Sequence, residues 1–289
     1  MCRHFGYLGP NVPLADLIFR PAHSLATQAY APIDMRSGGT VNVDGFGVGW
    51  YPEPDTRPTP EEADPPDGLS AVRPRKRTVR RYRRPVPIWQ DLAFAELARE
   101  TTSSAMVAAV RSATIGMPVS EGACAPFTDG HWLFSFNGRI IGWPDTAVGM
   151  AATLPVRDLL TLDAPTDAAL LWSILRGRLS DPEAADPGTV LSALIAEVLA
   201  AAPSSRLNAL LCDGRTIFAT TVTHSLWSYR GRRAVIVASE PFDDDPKWRP
   251  MPDGQLVVAD PDGVAISPLP IAEAAVGSDT ESEINAHRR

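Results

Sequence analysis

The stretch Met1-Cys2-Arg3-His4-Phe5-Gly6 opens the chain and places a cysteine directly after the initiator methionine. Because the cysteine side chain is small, we expect removal of Met1, which leaves a thiol and an α-amine on one residue. Such an amine titrates near ~7.7–8.0, close to the value of about 8.5 for a thiol in water. The amine can act as the base for its own thiol, so Cys2 is a candidate N-terminal nucleophile. Position alone does not establish this role, since any residue can follow Met1.

The composition is that of an ordinary globular protein, because 44% of the 289 residues are hydrophobic and 21% are charged. The chain has no apolar run of about 18 residues, and its first residues lack the pattern of a secretory signal. We therefore expect a cytoplasmic protein without membrane contact. The scattered cysteines and histidines predict neither a disulfide framework nor a metal site, and we expect no cofactor. A net charge of -7 argues against a surface devoted to nucleic acid.

We predict one domain over residues 1-271, with an insert at about 52-84, and a disordered tail over 272-289. The insert begins with prolines and acidic residues and continues into a basic run that ends with Arg83 and Arg84. A basic run can mark a nucleic-acid patch, but no aromatic stacking platform accompanies this one. We favour a solvated loop that turns into a strand.

Alternating and apolar runs predict strands over Gly45–Tyr51, Ala105–Arg111 and His131–Gly138, the last of them stopped by Asn-Gly. Thr166 and Asp167 have the residue types of a helix start. A further helix and five hairpin-linked strands are predicted over Thr189–Ala202, Leu207–Leu211, Thr216–Val222, Leu226–Tyr229, Ala234–Ala238 and Gln255–Ala259. This pattern is typical of an α+β domain built on antiparallel sheets.

Four motifs follow the order found in class II glutamine amidotransferases, a family that this chain resembles. They are Met1-Cys2-Arg3-His4, Val110-Arg111-Ser112-Ala113-Thr114, Phe136-Asn137-Gly138 and Thr166-Asp167. The resemblance implies the N-terminal nucleophile hydrolase fold, a four-layer αββα sandwich of two mainly antiparallel sheets.

Longer strings resemble one branch of the family, the amidohydrolases that act on γ-glutamyl-hercynylcysteine S-oxide in bacterial ergothioneine biosynthesis. The strings span Asn42–Trp50, Pro87–Trp89, Ala109–Thr114, Ser205–Asn208 and Ala238–Pro246. The resemblance implies that the chain cleaves this γ-glutamyl amide through a Cys2 thioester and releases glutamate. We expect no synthase domain after the sandwich, which favours a stand-alone hydrolase.

The resemblance also implies the roles of the site residues. The Cys2 thiolate attacks the amide carbonyl, and the oxyanion takes donors from the Asn137 side chain and the Gly138 backbone N–H. The same Asn-Gly pair is also a favoured two-residue hairpin turn, so its residues alone leave both interpretations open.

A γ-glutamyl group carries an α-carboxylate and an α-ammonium, and each needs an opposite charge. Arg111 can bind the carboxylate with its guanidinium, with help from the Thr114 hydroxyl. Asp167 matches the family's residue for the ammonium. Alternatively, Arg111 forms a surface salt bridge and Asp167 caps a helix. Asn42 and Asp44 are candidates for a supporting layer near the nucleophile.

Phe136 departs from the resemblance, because many relatives carry histidine directly before the oxyanion Asn-Gly. Since neighbouring strand residues point to opposite faces, we expect Phe136 to face away from the oxyanion pocket.

Two further functions stay open at the level of sequence. In the first, the chain is a glutaminase subunit that supplies ammonia to a separate synthase. In the second, the chain is an inactive sandwich that binds a partner through its arginine-rich loop. The preferred interpretation is an enzyme that acts on a small γ-glutamyl substrate. We expect this enzyme to bind no nucleic acid. The sequence does not decide whether the chain forms a homo-oligomer.

Overall fold

Two antiparallel sheets lie face to face between two sets of helices. The computed structural model describes residues 2–34, 41–53 and 78–270. The predicted tail over 272-289 and much of the predicted insert, including Arg73-Pro74-Arg75-Lys76-Arg77, lie outside these residues. No helix in the described ranges is long and apolar enough to cross a membrane.

The strands form the two sheets, and the helices cover the outer faces of the sheets. The strands are β1 (Arg3–Pro13), β2 (Phe46–Trp50), β3 (Arg80–Arg84), β4 (Thr102–Val110), β5 (Phe127–Asp129), β6 (Trp132–Arg139), β7 (Arg206–Cys212), β8 (Ile217–Thr221), β9 (Trp227–Gly231), β10 (Ala234–Ala238), β11 (Arg249–Pro250), β12 (Gln255–Asp260) and β13 (Gly263–Pro268). The α-helices are α1 (Ala15–Ile18), α2 (Leu25–Gln28), α3 (Leu92–Glu100), α4 (Val148–Ala151), α5 (Val156–Leu160), α6 (Asp167–Leu179) and α7 (Pro187–Ala201). Short 3-10 helices span Ile88–Gln90, Glu121–Ala123 and Asp145–Ala147.

The seven-stranded sheet has the order β11-β9-β10-β1-β4-β2-β3, and the six-stranded sheet has the order β13-β12-β8-β7-β6-β5. Strand β1 lies near the middle of its sheet, where Phe5 is opposite Ala238 on β10 and Ala108 on β4. The N-terminal segment is therefore held on both sides by long-range pairing. The strand predicted at the end of the basic run is observed as β3, an edge strand, and the predicted loop before it lies outside the described residues.

Three apolar layers separate the elements. Helices α1, α2 and α3 pack on the outer face of the seven-stranded sheet, around Phe5 and Phe94. Residues such as Leu8 and Leu210 fill the space between the sheets. Helices α6 and α7 cover the outer face of the six-stranded sheet. The predicted α+β four-layer αββα sandwich is thus confirmed.

Side-chain caps begin both long helices. The Thr166 hydroxyl accepts a hydrogen bond from the Ala169 N–H at 3.2 Å, so Thr166 caps α6. Asp186 accepts from the Thr189 N–H at 3.1 Å, and Pro187 occupies the first turn of α7. Helix α7 therefore begins two residues before the predicted Thr189, because proline suits a first turn whose N–H groups lack helical partners.

The Asn-Gly pair does not stop β6, and this prediction was wrong. Strand β6 continues to Arg139, with Asn137 opposite Asn208 and Gly138 opposite Leu207 on β7. Because β7 supplies a pairing partner for each residue, the pair extends a strand instead of forming a turn. The hairpin interpretation of Asn137 and Gly138 is thereby excluded.

Candidate active site

Cys2 lies directly before β1 and is half-buried. The antiparallel pairing of β1 with β4 sets Arg3 opposite Val110, the last residue of β4. The loop after β4 therefore passes beside the cysteine, and the Cys2 Sγ lies 3.6 Å from the carbonyl oxygen of Ser112. Strand pairing thus brings together two segments that are 110 residues apart in sequence.

Arg111 is fixed by the backbone of the segment that precedes β2. Its N–H donates to the Gly45 carbonyl at 2.7 Å, and its carbonyl accepts from the Asp44 N–H at 3.0 Å. The Asp44 carboxylate accepts from the Ala113 N–H at 2.7 Å. The Arg111 Nη1 is buried and makes no hydrogen bond to the described residues. The alternative of a surface salt bridge for Arg111 is not observed in the described part of the chain, and the guanidinium keeps a donor without a partner there.

Asp167 is the first residue of α6 and is 4% exposed. Its carboxylate accepts from the Ile140 N–H at 3.1 Å and from the Ala168 N–H at 2.8 Å. Burial raises the pKa of Asp167, and these hydrogen bonds together with the charge of Arg111 oppose that rise. The side-chain cap of α6 is Thr166, so the Asp167 carboxylate remains available for a second task.

Gly138 occupies a position that admits no side chain. A Cβ there would lie 2.1 Å from the Arg206 carbonyl oxygen and 2.6 Å from the Phe136 ring. Contacts under 3.0 Å force a neighbour to move, and a strand backbone cannot move cheaply. The sequence needs glycine here because β6 and β7 approach closely.

Asn137 faces the seven-stranded sheet, on the opposite side of β6 from Phe136. It is 1% exposed, and its Nδ2 lies 3.5 Å from the Ser239 Oγ. The same hydroxyl oxygen accepts from the His4 N–H at 3.0 Å, and the His4 ring contacts Ser135. Burial, with help from the charge of Arg3, lowers the pKa of His4 to about 3, so this imidazole is neutral at pH 7.

One cavity, with about 520 Å³ of space that includes its mouth, joins most of the predicted site residues. Its lining includes Cys2, Arg111, Thr114, Gly138 and Asp167. Among the remaining lining residues are Ser112, Met117, Phe127, Phe136, Thr166 and Ala168. The cavity is therefore lined by a residue with a thiol, one with a guanidinium and one with a carboxylate.

Phe136 lines this cavity, so the expectation that it faces away was wrong. Alternation along β6 does set Phe136 and Asn137 on opposite faces, as expected. Phe136 packs in the core between the six-stranded sheet and its helices, and it lines the cavity together with Gly138, so the cavity reaches that side of β6. Asp167 enters the cavity from the same side on α6.

Three predicted residues do not line the cavity: Asn137, Asn42 and Asp44. Asp44 acts on the loop that carries Arg111, as described above. Asn42 is 1% exposed, and its N–H donates to the Ala29 carbonyl at 2.6 Å, at the end of α2. The roles of all three residues stay predictions.

Sequence reasoning missed a buried ionic cluster next to the nucleophile, formed by Arg3, Glu240 and His23. The Arg3 Nε lies 2.6 Å from Glu240 Oε1, and both side chains are 1% exposed. The sequence offers one pointer, because Glu240 lies in the string Ala238–Pro246 that carries the family resemblance. Among the described residues, no group of three or more His, Cys, Asp or Glu side chains has a metal-binding arrangement.

Gly138→Ala is expected to lower kcat by about two to three orders of magnitude, the usual cost of losing one oxyanion donor. The added methyl group overlaps the Arg206 carbonyl, so β6 must shift and carry the backbone N–H with it. Steady-state kinetics measure the loss, with Gly177→Ala as the control because a Cβ there meets nothing within 4 Å. A Gly138→Ala variant with wild-type kcat would contradict the assignment of this N–H.

Asp167→Asn is expected to raise KM for a γ-glutamyl substrate by about 10-fold to 100-fold, as for a lost charged hydrogen bond. In the wild type, KM should also rise as the pH falls, because a protonated Asp167 no longer attracts the α-ammonium. That rise should begin at a higher pH than for an ordinary carboxyl, since burial raises the pKa of Asp167. KM measured against pH should be flat in the variant, whereas Asp129→Asn, at an exposed position, should behave as wild type.

Comparison with known proteins gives consistent similarities. Residues 27–232 match the model of the family described as class-II glutamine amidotransferases. The chain is 36% identical over 269 residues to the γ-glutamyl-hercynylcysteine sulfoxide hydrolase of Mycolicibacterium smegmatis, covering 93% of this chain and 100% of that protein.

Two solved structures share the fold. A glutamine aminotransferase class-II domain protein from Silicibacter pomeroyi superposes with a TM-score of 0.59 at 22% identity, covering 93% of this chain and 99% of its own. Glutamine phosphoribosylpyrophosphate amidotransferase from B. subtilis gives a TM-score of 0.61 at 12% identity, covering 94% of this chain and 50% of its own.

Proposed function

This chain belongs to the class II glutamine amidotransferase family, and from that membership we propose that it hydrolyses the γ-glutamyl amide of γ-glutamyl-hercynylcysteine sulfoxide. Glutamate and hercynylcysteine sulfoxide are the products, and ergothioneine biosynthesis is the pathway. The observation that carries the proposal is the single cavity in which Cys2 meets both Arg111 and Asp167. The name and the 36% identity of the mycobacterial relative support the choice of leaving group.

The glutamyl head binds between two opposite charges. Arg111 holds the α-carboxylate through its spare Nη1 donor, and the Thr114 hydroxyl lines the same space. Asp167 receives the α-ammonium, and binding of this cation favours the ionised carboxylate that burial disfavours. Because Arg111 and Asp167 carry opposite charges, they bind the carboxylate and the ammonium of the glutamyl head at different places in the cavity.

The reaction then proceeds by acyl transfer. With Met1 removed, the α-amine of Cys2 takes the thiol proton, directly or through one water, and the thiolate attacks the γ-carbonyl. The Gly138 N–H, on the cavity wall, stabilises the oxyanion. The family resemblance assigns the second donor to the Asn137 side chain, whose amide lies near Ser239 and outside the cavity lining. The carbon–nitrogen bond breaks as the amine returns the proton to the leaving nitrogen. Water hydrolyses the resulting thioester, which releases glutamate and restores Cys2.

The proposal is tested by incubating the purified chain with γ-glutamyl-hercynylcysteine sulfoxide and, separately, with glutamine. We expect rapid release of glutamate from the sulfoxide and slow release from glutamine. Rapid release from glutamine with none from the sulfoxide would reject this substrate and favour a glutaminase. The intact mass of the same preparation should lack Met1, because a retained methionine blocks the α-amine.

A further inference from the structure

Arg3 directs its guanidinium at the backbone of the nucleophile. The side chain is 1% exposed, and an arginine buried to this extent needs partners for its charge. Its Nη1 donates to the Cys2 carbonyl at 2.9 Å, its Nη2 to the Asp34 carbonyl at 2.9 Å, and its Nε to Glu240. One rigid, planar group therefore ties the residue that carries the thiol to two other segments.

Glu240 is held as firmly as Arg3. Its second carboxylate oxygen lies 2.6 Å from His23 Nε2 and accepts from the Ile33 N–H at 2.8 Å. Burial by itself would raise the pKa of Glu240, but the His23 hydrogen bond and the charge of Arg3 outweigh burial and bring the pKa to about 2. The carboxylate is therefore ionised near neutral pH.

A gain in stability is a weak explanation for this pair. A buried ion pair gains little over a well-packed apolar pair, because desolvation offsets the attraction of the charges. Position is a better explanation, since β1 begins at Arg3 and Cys2 lies outside the strand ladder. Terminal residues are poorly ordered unless something holds them. The Cys2 thiol is a weak donor to Ser112, whereas the charged Arg3 guanidinium donates to the Cys2 carbonyl at 2.9 Å, so the Arg3 hydrogen bond is the stronger of these two contacts.

We propose that the buried Arg3–Glu240 pair, completed by His23, positions Cys2 for attack by fixing its backbone carbonyl. The inference rests on the proposed function only in taking Cys2 as the nucleophile. Arg3 and Glu240 are positioning residues, because neither lines the cavity that holds Arg111 and Asp167. The pair thus governs the rate of attack on the carbonyl, while the binding of the glutamyl head depends on other elements.

The test is the double variant Arg3→Met/Glu240→Leu, which removes both charges of the pair, so that neither Arg3 nor Glu240 is left as an uncompensated buried ion. We expect a melting temperature within a few degrees of wild type and a KM within about threefold, because Arg111 and Asp167 are unchanged. The value of kcat should fall by about 10-fold to 100-fold, since a displacement of about 1 Å costs up to 10²-fold. Labelling of Cys2 by 6-diazo-5-oxo-norleucine should slow by a similar factor.

The matched control is Arg178→Met/Glu197→Leu, which removes an exposed bidentate pair on α6 and α7 and should keep wild-type kcat and labelling. Glu240→Gln is a second variant that should lower kcat in the same way. It should also lower the melting temperature, because it leaves the buried Arg3 charge without a counter-ion. A folded Arg3→Met/Glu240→Leu protein with wild-type kcat and labelling, or with a raised KM at unchanged kcat, would overturn the inference.

Labelling of Cys2 distinguishes a failure of this inference from a failure of the proposed function. If the sulfoxide is not a substrate but the wild type is labelled at Cys2, slower labelling of the double variant still supports the positioning role. Equal labelling of both proteins would reject that role even if the sulfoxide is hydrolysed. A wild type that is not labelled at Cys2 would overturn both, because Cys2 would not be the nucleophile.

Discussion

Cys2→Ser should abolish turnover almost completely, with kcat lower by about four orders of magnitude or more, as for removal of other catalytic nucleophiles. A serine hydroxyl is a much weaker nucleophile than a thiolate, and it is far less acidic than the thiol whose pKa lies close to that of the α-amine. Substrate binding should persist, because the glutamyl head contacts Arg111 and Asp167 in the proposed complex. Single-turnover kinetics measure the chemical step, and calorimetric titration of the inactive variant measures the dissociation constant.

The other cysteines supply the control for this prediction. Cys124 and Cys212 are fully buried, and burial raises the pKa of Cys124 to about 11, with Arg111 partly opposing the rise. Cys124 is therefore a protonated thiol near neutral pH and cannot replace Cys2 as nucleophile. Cys124→Ala and Cys212→Ala should retain most of the activity. Turnover by Cys2→Ser near the wild-type rate, or a thioester on Cys124, would contradict the assignment.

Arg111→Ala should lower kcat/KM by about two to three orders of magnitude, the range for truncating one partner of a buried charged pair. The α-carboxylate of the substrate loses its guanidinium. The pKa of Asp167 should also rise further. In the wild type the Arg111 charge opposes the effect of burial, and the variant lacks that charge. Arg111→Lys should recover part of the loss, since it keeps the charge without the planar fork.

A substrate analogue makes the Arg111 prediction specific. The wild type should strongly prefer a γ-glutamyl amide over the matching 4-aminobutyryl amide, which lacks the α-carboxylate. Arg111→Ala should lose that preference, whereas Arg99→Ala, at an exposed position on α3, should keep it. If Arg111→Ala still discriminates between the two amides, the carboxylate is bound elsewhere.

Local sequence patterns predicted much of the framework. The apolar runs after Gly45 and before Arg111 form β2 and β4, and the Thr166-Asp167 pair begins α6. These predictions succeed because period-two alternation and side-chain capping depend on neighbouring residues. Strand β1 was not predicted, although it is the longest of the described strands, with 11 residues. Its mixture of glycines, charges and aromatic residues becomes a strand because β10 and β4 pair with it on both sides.

The sequence by itself determined the chemical groups and their order: a cysteine after Met1, an arginine after an apolar run, an Asn-Gly pair and an acid at a helix start. Only the tertiary structure decided that Asn-Gly extends a strand, that Phe136 lines the cavity and that Arg3 meets Glu240, 237 residues away. The physical reason is that side-chain chemistry and local propensity belong to single residues and short segments. Proximity comes from pairing and packing between distant segments, and the free energy of those contacts depends on the whole sandwich.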